Sequence, residues 1–167
     1  MKEVTLRALE PEDLDMLYRI ENDKELWDIG ATSVPYSRYV LHEFMSSTTG
    51  DIYTDKQVRL VIENEGHQIV GMADLMSFDP KNRKAELGLV IVKPYRHQGY
   101  ARAVIGRIHD YALRTLHLHQ LYVVIPAANT ASLTLFRSID YRESSRLSEW
   151  LYDGREYHDA IVFQKIL

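Results

Sequence analysis

The chain has 167 residues, 46% hydrophobic and 26% charged, the balance of a globular protein long enough to bury one core. Its formal net charge of −4 argues against nucleic acid as the main partner and gives small cations a mildly favourable field. It has no cysteine, which excludes disulfides, thiolate zinc sites and cysteine nucleophiles.

In chain order, MKEVTLRALEPEDLD carries acids where a secretory signal would be apolar, and no stretch reaches the length of a membrane span. A cytoplasmic location with no membrane partner is the expectation. No internal repeat, linker or low-complexity tract interrupts residues 1–167, so a single domain is expected. Val4 and Leu6 alternate with polar neighbours, which predicts a short strand. Pro11 opens a helix in which Leu14, Leu17 and Ile20 recur at helical spacing. Residues 21–35 are mixed and contain a break. Ser37 is placed to cap a second helix through Arg38, Val40, Leu41 and Phe44, and residues 46–56 read as loop.

The middle is β. Strands over 57–63 and 68–78 flank Asn64-Glu65-Gly66-His67, a hairpin signal, and Asp79-Pro80-Lys81-Asn82 marks the next turn. A third strand spans 84–92, and its end, LGLVIV, is apolar on both faces, which predicts burial on both sides. A helix over 101–117 carries Val104, Ile105, Ile108, Ala112 and Leu116 on one stripe. A buried strand over 120–125, a short helix over 129–138 and two strands near 148–152 and 158–164, joined at Asp153-Gly154, complete an α/β arrangement on a mixed sheet.

Between the third of these strands and its helix lies Arg96-His97-Gln98-Gly99-Tyr100-Ala101. A helix start offers unpaired N–H groups and about half a positive charge. Gly99 lets backbone approach an anion closely, and Arg96 adds charge. The turn therefore reads as a phosphate cradle. The Walker pattern and the full Rossmann fingerprint are both absent.

This R-x-x-G-x-A turn resembles the signature of the GCN5-related N-acetyltransferase (GNAT) superfamily. The opening "LRALEPEDLDMLYRIEND" looks like that family's first strand and helix. "IPAANTASLTLFRSIDY" is similar to the segment that follows its fifth strand. "DGREYHDAIVFQKIL" resembles the C-terminus of the spermidine and ribosomal-protein acetylating branches. The resemblance implies a mixed sheet of about seven strands flanked by about four helices, with a splay between the fourth and fifth strands. It implies acetyl-CoA as co-substrate, its pyrophosphate held by residues 96–101: Arg96, His97, Gln98, Gly99, Tyr100 and Ala101. Ile91 and Val92 would pair through backbone with the pantetheine arm, and Asn129, Ser132 and Phe136 would contact the bound CoA beside it.

Two departures stand out. Where many members carry a tyrosine that protonates the departing thiolate, this chain has Phe136, which has no proton to give. The usual glycine before the final aromatic is Asp140, a residue that tolerates positive φ better than most. Tyr122 is a substitute acid by position alone. Glu86, in "AELGLV", is an acid in an otherwise apolar strand and the candidate general base, with Asp74 next.

The expected activity is acetyl transfer to a primary amine, with a polyamine or diamine as first choice. The α-amine of a protein or peptide is the alternative, and a non-catalytic acyl-CoA sensor the second. Glu25, Asp28, Glu43, Asp51, Asp55, Asp74 and Glu86 would form an acidic wall towards a polyamine. Trp27, Tyr36, Tyr39 and Phe44 fall where the family covers its acceptor. His117-Leu118-His119 lacks a third ligand at recognisable spacing, so no metal is expected. A homo-oligomer is compatible with all of this.

Overall fold

The structure is a computed structural model and describes residues 2–27 and 34–167. Its seven strands are β1 (Val4–Ala8), β2 (Val58–Asn64), β3 (Ile69–Asp79), β4 (Lys84–Ile91), β5 (Gln120–Pro126), β6 (Arg142–Tyr152) and β7 (Tyr157–Ile166). They form one sheet in the order β1-β2-β3-β4-β5-β7-β6. Every neighbouring pair is antiparallel except β4 and β5. The helices are α1 (Leu14–Glu21), α2 (Lys24–Trp27), α3 (Arg38–Ser47), α4 (Ile52–Asp55), α5 (Tyr100–Arg114) and α6 (Thr130–Arg137).

The helix starts follow their caps. Ser37 accepts from the Val40 N–H and opens α3. Pro11 begins a 3-10 turn that leads into α1. Residues 46–56, expected to be loop throughout, contain α4. Asp51 caps it by accepting from the Tyr53 N–H, and one turn this short carries no periodic signal. The strand expected near 148–152 begins at Arg142. It is the outer strand of the sheet, and almost all its residues are exposed, so no apolar alternation marks it.

Side chains alternate across the sheet and sort into two cores. Ala73, Leu75, Ala85, Leu87, Leu121 and Val123 face α5 and α6, where Val104, Ile105, Ile108, Leu133 and Phe136 close the main core. On the other face Met72 meets Leu17 of α1 and Leu41 of α3 in a smaller cluster. Gly71 is required where β3 meets β4: a Cβ there would stand 2.1 Å from the Val90 carbonyl oxygen.

The ladder between β4 and β5 is short. Only Lys84–Gln120, Ala85–Leu121 and Glu86–Tyr122 are partners. Beyond them β4 continues against β3 to Gly71–Ile91, and β5 continues against β7 to Pro126–Ala160. The two strands therefore splay from an apex at Glu86 and Tyr122. The end of β4, expected to be buried on both sides, is only half-buried from Gly88 to Val92. Its apolar residues lie along the open gap, not inside a closed sheet. Likewise β5 alternates buried and half-buried residues instead of being buried throughout.

Candidate active site

Glu86 stands at the apex on the α1–α3 face, since its neighbours Ala85 and Leu87 point into the main core. It is half-buried, and no hydrogen bond or ion pair holds it among the described residues. Burial raises its pKa above the usual glutamate value. Across the apex, burial raises the Tyr122 phenol, the Glu86 charge adds to this, and a hydrogen bond with Ser77 opposes both. A carboxylate of raised pKa without a partner can accept a proton from an amine.

The turn after β4 is built by backbone. A 3-10 turn over Lys93–Tyr95 leads to Arg96 in extended conformation, His97 at φ 59° and Gly99 at φ 88°. Among the described residues no side chain caps α5, so the donors at its start are unclaimed by a cap. A Cβ on Gly99 would meet only Lys2 Cγ, at 3.9 Å, so the space above the turn is open. Arg96 Nε donates to the Ile91 carbonyl at 2.8 Å, and Gln98 Nε2 donates to the Pro94 carbonyl at 2.7 Å. These two bonds pin the turn to the end of β4. Tyr100 is buried against Tyr95 with ring centroids 5.8 Å apart. Its backbone rather than its phenol borders the turn. Lys2 was not singled out by the sequence. Its Nζ lies 5.0 Å from the Tyr100 ring, which brings a cation beside Gly99.

Of the two residues at the end of β4 expected to pair with an arm in the gap, Val92, the first past the strand, spends its N–H on the Val70 carbonyl at 2.9 Å, towards β3. Strand alternation turns Leu89 and Ile91 the other way, into the gap. The expectation for Val92 is corrected accordingly, and Ile91 is the residue in position.

On the far side of the gap, Asn129 caps α6 by accepting from the Ser132 N–H at 3.2 Å. The two residues expected to flank the arm are thus joined by one capping bond. Phe136 lies in the main core, 6% exposed, with its ring edge-on to Tyr141 at 4.9 Å. So buried a ring offers little surface to a ligand, which weakens its place among the expected CoA contacts. Tyr141 is a phenol in ring contact with it. Its hydroxyl is hydrogen-bonded to His109 Nε2 at 3.0 Å, and burial drives its pKa far above the ordinary tyrosine value. It is core structure and does not stand in for the missing acid. Asp140 adopts φ 64°, the left-handed turn expected of the position that is usually glycine.

The acidic wall is largely spent on internal pairs. Asp74 binds Arg59 at 2.6 Å, Glu25 binds Lys93 at 3.3 Å, and Asp51 and Asp55 order the turn around α4. Asp74 is therefore not a free base. Asp28 lies outside the described residues. Of the four aromatics, the Trp27 side chain lies outside what the structure describes, the Phe44 ring centroid lies 5.6 Å from Arg59 Cζ, and Tyr36 joins the small core, whereas Tyr39 is exposed. His117 and His119 are exposed on either side of buried Leu118. Among the described residues the one group with ligand atoms close together is Asp153, Glu156 and His158, in the exposed β6–β7 turn. There Asp153 accepts from the Arg155 and Glu156 N–H groups and bonds His158 at 2.6 Å, which explains the grouping as a turn.

Comparison with known proteins decides the family. The Acetyltransferase (GNAT) domain family matches residues 3–142. The chain belongs to the GNAT acetyltransferases. As a GNAT it is an acyl-CoA-dependent N-acetyltransferase that takes acetyl-CoA as co-substrate. It is similar to spermidine N(1)-acetyltransferase of Vibrio cholerae serotype O1, with 26% identity over 158 residues, 95% of this chain and 90% of that one. The YdaF protein of Bacillus subtilis (strain 168), whose name carries a provisional ribosomal N-acetyltransferase assignment, is 27% identical over 165 residues, 96% of this chain and 89% of that one. Among solved structures, the V. cholerae spermidine N-acetyltransferase in complex with CoA and spermine superposes with a TM-score of 0.88 at 26% identity, covering 98% of this chain and 95% of that one. A dodecameric form of a V. cholerae spermidine N-acetyltransferase gives 0.84 at 25% identity, covering 98% and 93%. Among the described residues no helix of this GNAT chain is long and apolar enough to cross a membrane.

Proposed function

We propose that this GNAT enzyme acetylates a primary amine of a small polycation of the spermidine class. The observation that carries the reading is Glu86, a half-buried carboxylate without a partner among the described residues, at the apex of the β4–β5 gap. The spermidine relatives and the net charge of −4 support a cationic acceptor.

In this reading the turn from Arg96 to Ala101 holds the pyrophosphate of acetyl-CoA through backbone N–H groups, with Lys2 adding charge beside Gly99. The amine approaches from the α1–α3 face and gives its ammonium proton to Glu86, directly or through water. Its nitrogen then attacks the acetyl carbonyl, the C–N bond forms and the C–S bond breaks. The second nitrogen proton leaves to solvent. The departing thiolate needs little help, because a thiol of this kind has a pKa of about 8.5. Water therefore takes the place of the absent tyrosine at Phe136.

The test is release of free CoA thiol with spermidine, putrescine and peptides bearing a free N-terminus. Spermidine or putrescine should react fastest, and the advantage should shrink as salt rises. Equal rates for peptides at low salt would reject the polyamine preference. Acetyl-CoA binding with no thiol release for any amine would leave a non-catalytic sensor.

A further inference from the structure

Behind Glu86 on the same sheet face lies a charge cluster that the reaction above does not use. Arg59 Nε donates to Asp74 Oδ1 at 2.6 Å, and Nη2 reaches Asp74 Oδ2 at 3.5 Å. Nη1 donates to Glu21 Oε1 at 2.6 Å. The Phe44 ring covers the guanidinium, and the Arg59 side chain keeps 26% of its surface exposed. Two carboxylates facing each other under an aromatic ring make a seat for an organic cation. In this chain the cation is its own arginine.

The seat adjoins the candidate base. Arg59 and Asp74 are partners across β2 and β3, and Asp74 and Gly88 are partners across β3 and β4. Glu86 precedes Gly88 by two residues, so Asp74 and Glu86 are diagonal neighbours on one face, about 7–8 Å apart in the sheet. Gly88 has no side chain to divide them. The point where its Cβ would stand is 3.7 Å from Asp74 Oδ2, and only the flexible Met76 methyl, at 3.0 Å, lies closer than Asp74. A short diamine with one nitrogen at Glu86 would bring its other nitrogen to this seat.

We propose that Arg59 determines acceptor specificity by occupancy, filling the seat formed by Glu21 and Asp74 and so keeping a second ammonium of the acceptor out of it. The inference rests on the reading that the amine meets Glu86 on this face. Arg59 touches neither reacting atom. It is a positioning residue that leaves Glu86 the carboxylate available to the amine and sends the distal charge of a polyamine elsewhere.

The experiment compares KM for n-butylamine and putrescine, at saturating acetyl-CoA and low salt, in the full chain and its variants. Arg59→Met should open the seat and lower KM for putrescine about fivefold relative to butylamine, the scale of one part-exposed ion pair. Arg59→Lys keeps a cation in the seat and should keep the parent ratio. Asp74→Asn in the parent should leave the ratio unchanged, because the acceptor does not use the seat there. An unchanged ratio in folded Arg59→Met overturns the proposal. So does a rise in putrescine KM alone in Asp74→Asn, which would place the substrate on Asp74 directly and stands as the deciding measurement should Arg59→Met fail to fold. A parent that acetylates no amine at all instead removes the reading of Glu86 on which the proposal rests.

Discussion

The two faces of the sheet are held by different forces. Beneath α5 and α6 the contacts are apolar, and the residues at the centre, such as Val104, Ile108 and Leu121, are fully buried. Under α1 and α3 the apolar cluster is small, and ion pairs tie the helices to the sheet: Arg59 with Glu21 and Asp74, and Arg7 with Asp13 and Glu63. Close packing fixes the cofactor half in one arrangement. Charge pairs tolerate exchange of partners, which suits the cationic acceptor proposed for this face. In the proposed reading, the half that recognises one invariant carrier is built of packing and backbone, and the half that chooses an acceptor is built of titratable groups.

The largest expected effect tests the acceptor face. Glu86→Gln keeps the shape of the side chain and removes its charge, and should lower kcat about 10²-fold while acetyl-CoA still binds. Because burial raises the Glu86 pKa, the low-pH limb of the parent's rate profile should lie above the ordinary glutamate value of about 4.3. A variant with the parent's rate and the same limb would make Glu86 structural.

Next in size is the ion pair at the base of α1. Asp13 is buried and accepts from Arg7 at 2.8 and 3.0 Å and from the Glu10 N–H at 2.8 Å. The Arg7 hydrogen bonds hold its pKa below the usual carboxylate value, against the opposing effect of burial. Stability from such a group is present above the unfolded-state pKa of about 3.9 and is lost as pH falls through the folded value. Asp13→Asn should cost about 2 kcal/mol at neutral pH in denaturant unfolding, with parent and variant converging in acid. A constant difference across that range would show that the charge is not what matters.

The smallest of the three probes the cofactor half. At φ 88° a side chain on Gly99 is strained even though the space around it is open, and any branched one enters the region proposed for phosphate. Gly99→Val should weaken acetyl-CoA binding at least about tenfold, or about 1.4 kcal/mol. Unchanged affinity by calorimetry in a folded variant would move the cradle elsewhere.

Local chemistry was the legible part of this molecule. Ser37 announced the start of α3, Asn64-Glu65-Gly66-His67 announced the hairpin, and R-x-x-G-x-A announced a turn whose glycine has positive φ. Asp140 was readable for the same reason, since the demand falls on its own backbone. Glu86 was visible as an acid among apolar neighbours. The Arg59 cluster was not, because it depends on the register of β2 against β3 and on the packing of α1 over both, neither of which leaves a local pattern. Lys2 stayed hidden because ninety-six residues lie between it and Gly99. Val92 was misjudged by one step of strand alternation, which reverses the side on which an N–H points.

That same alternation gives β4 two populations of amide protons. Val90 and Val92 face β3, and Val92 donates to a neighbouring carbonyl, whereas Leu89 and Ile91 face the open gap, where no strand receives them. Exchange with solvent deuterium should therefore be slow and fast at successive residues within one continuous strand. The contrast ends where the two strands meet at Glu86 and Tyr122. An arm lying along the gap would erase it by protecting the fast set alone, so the strand itself records whether the gap is filled.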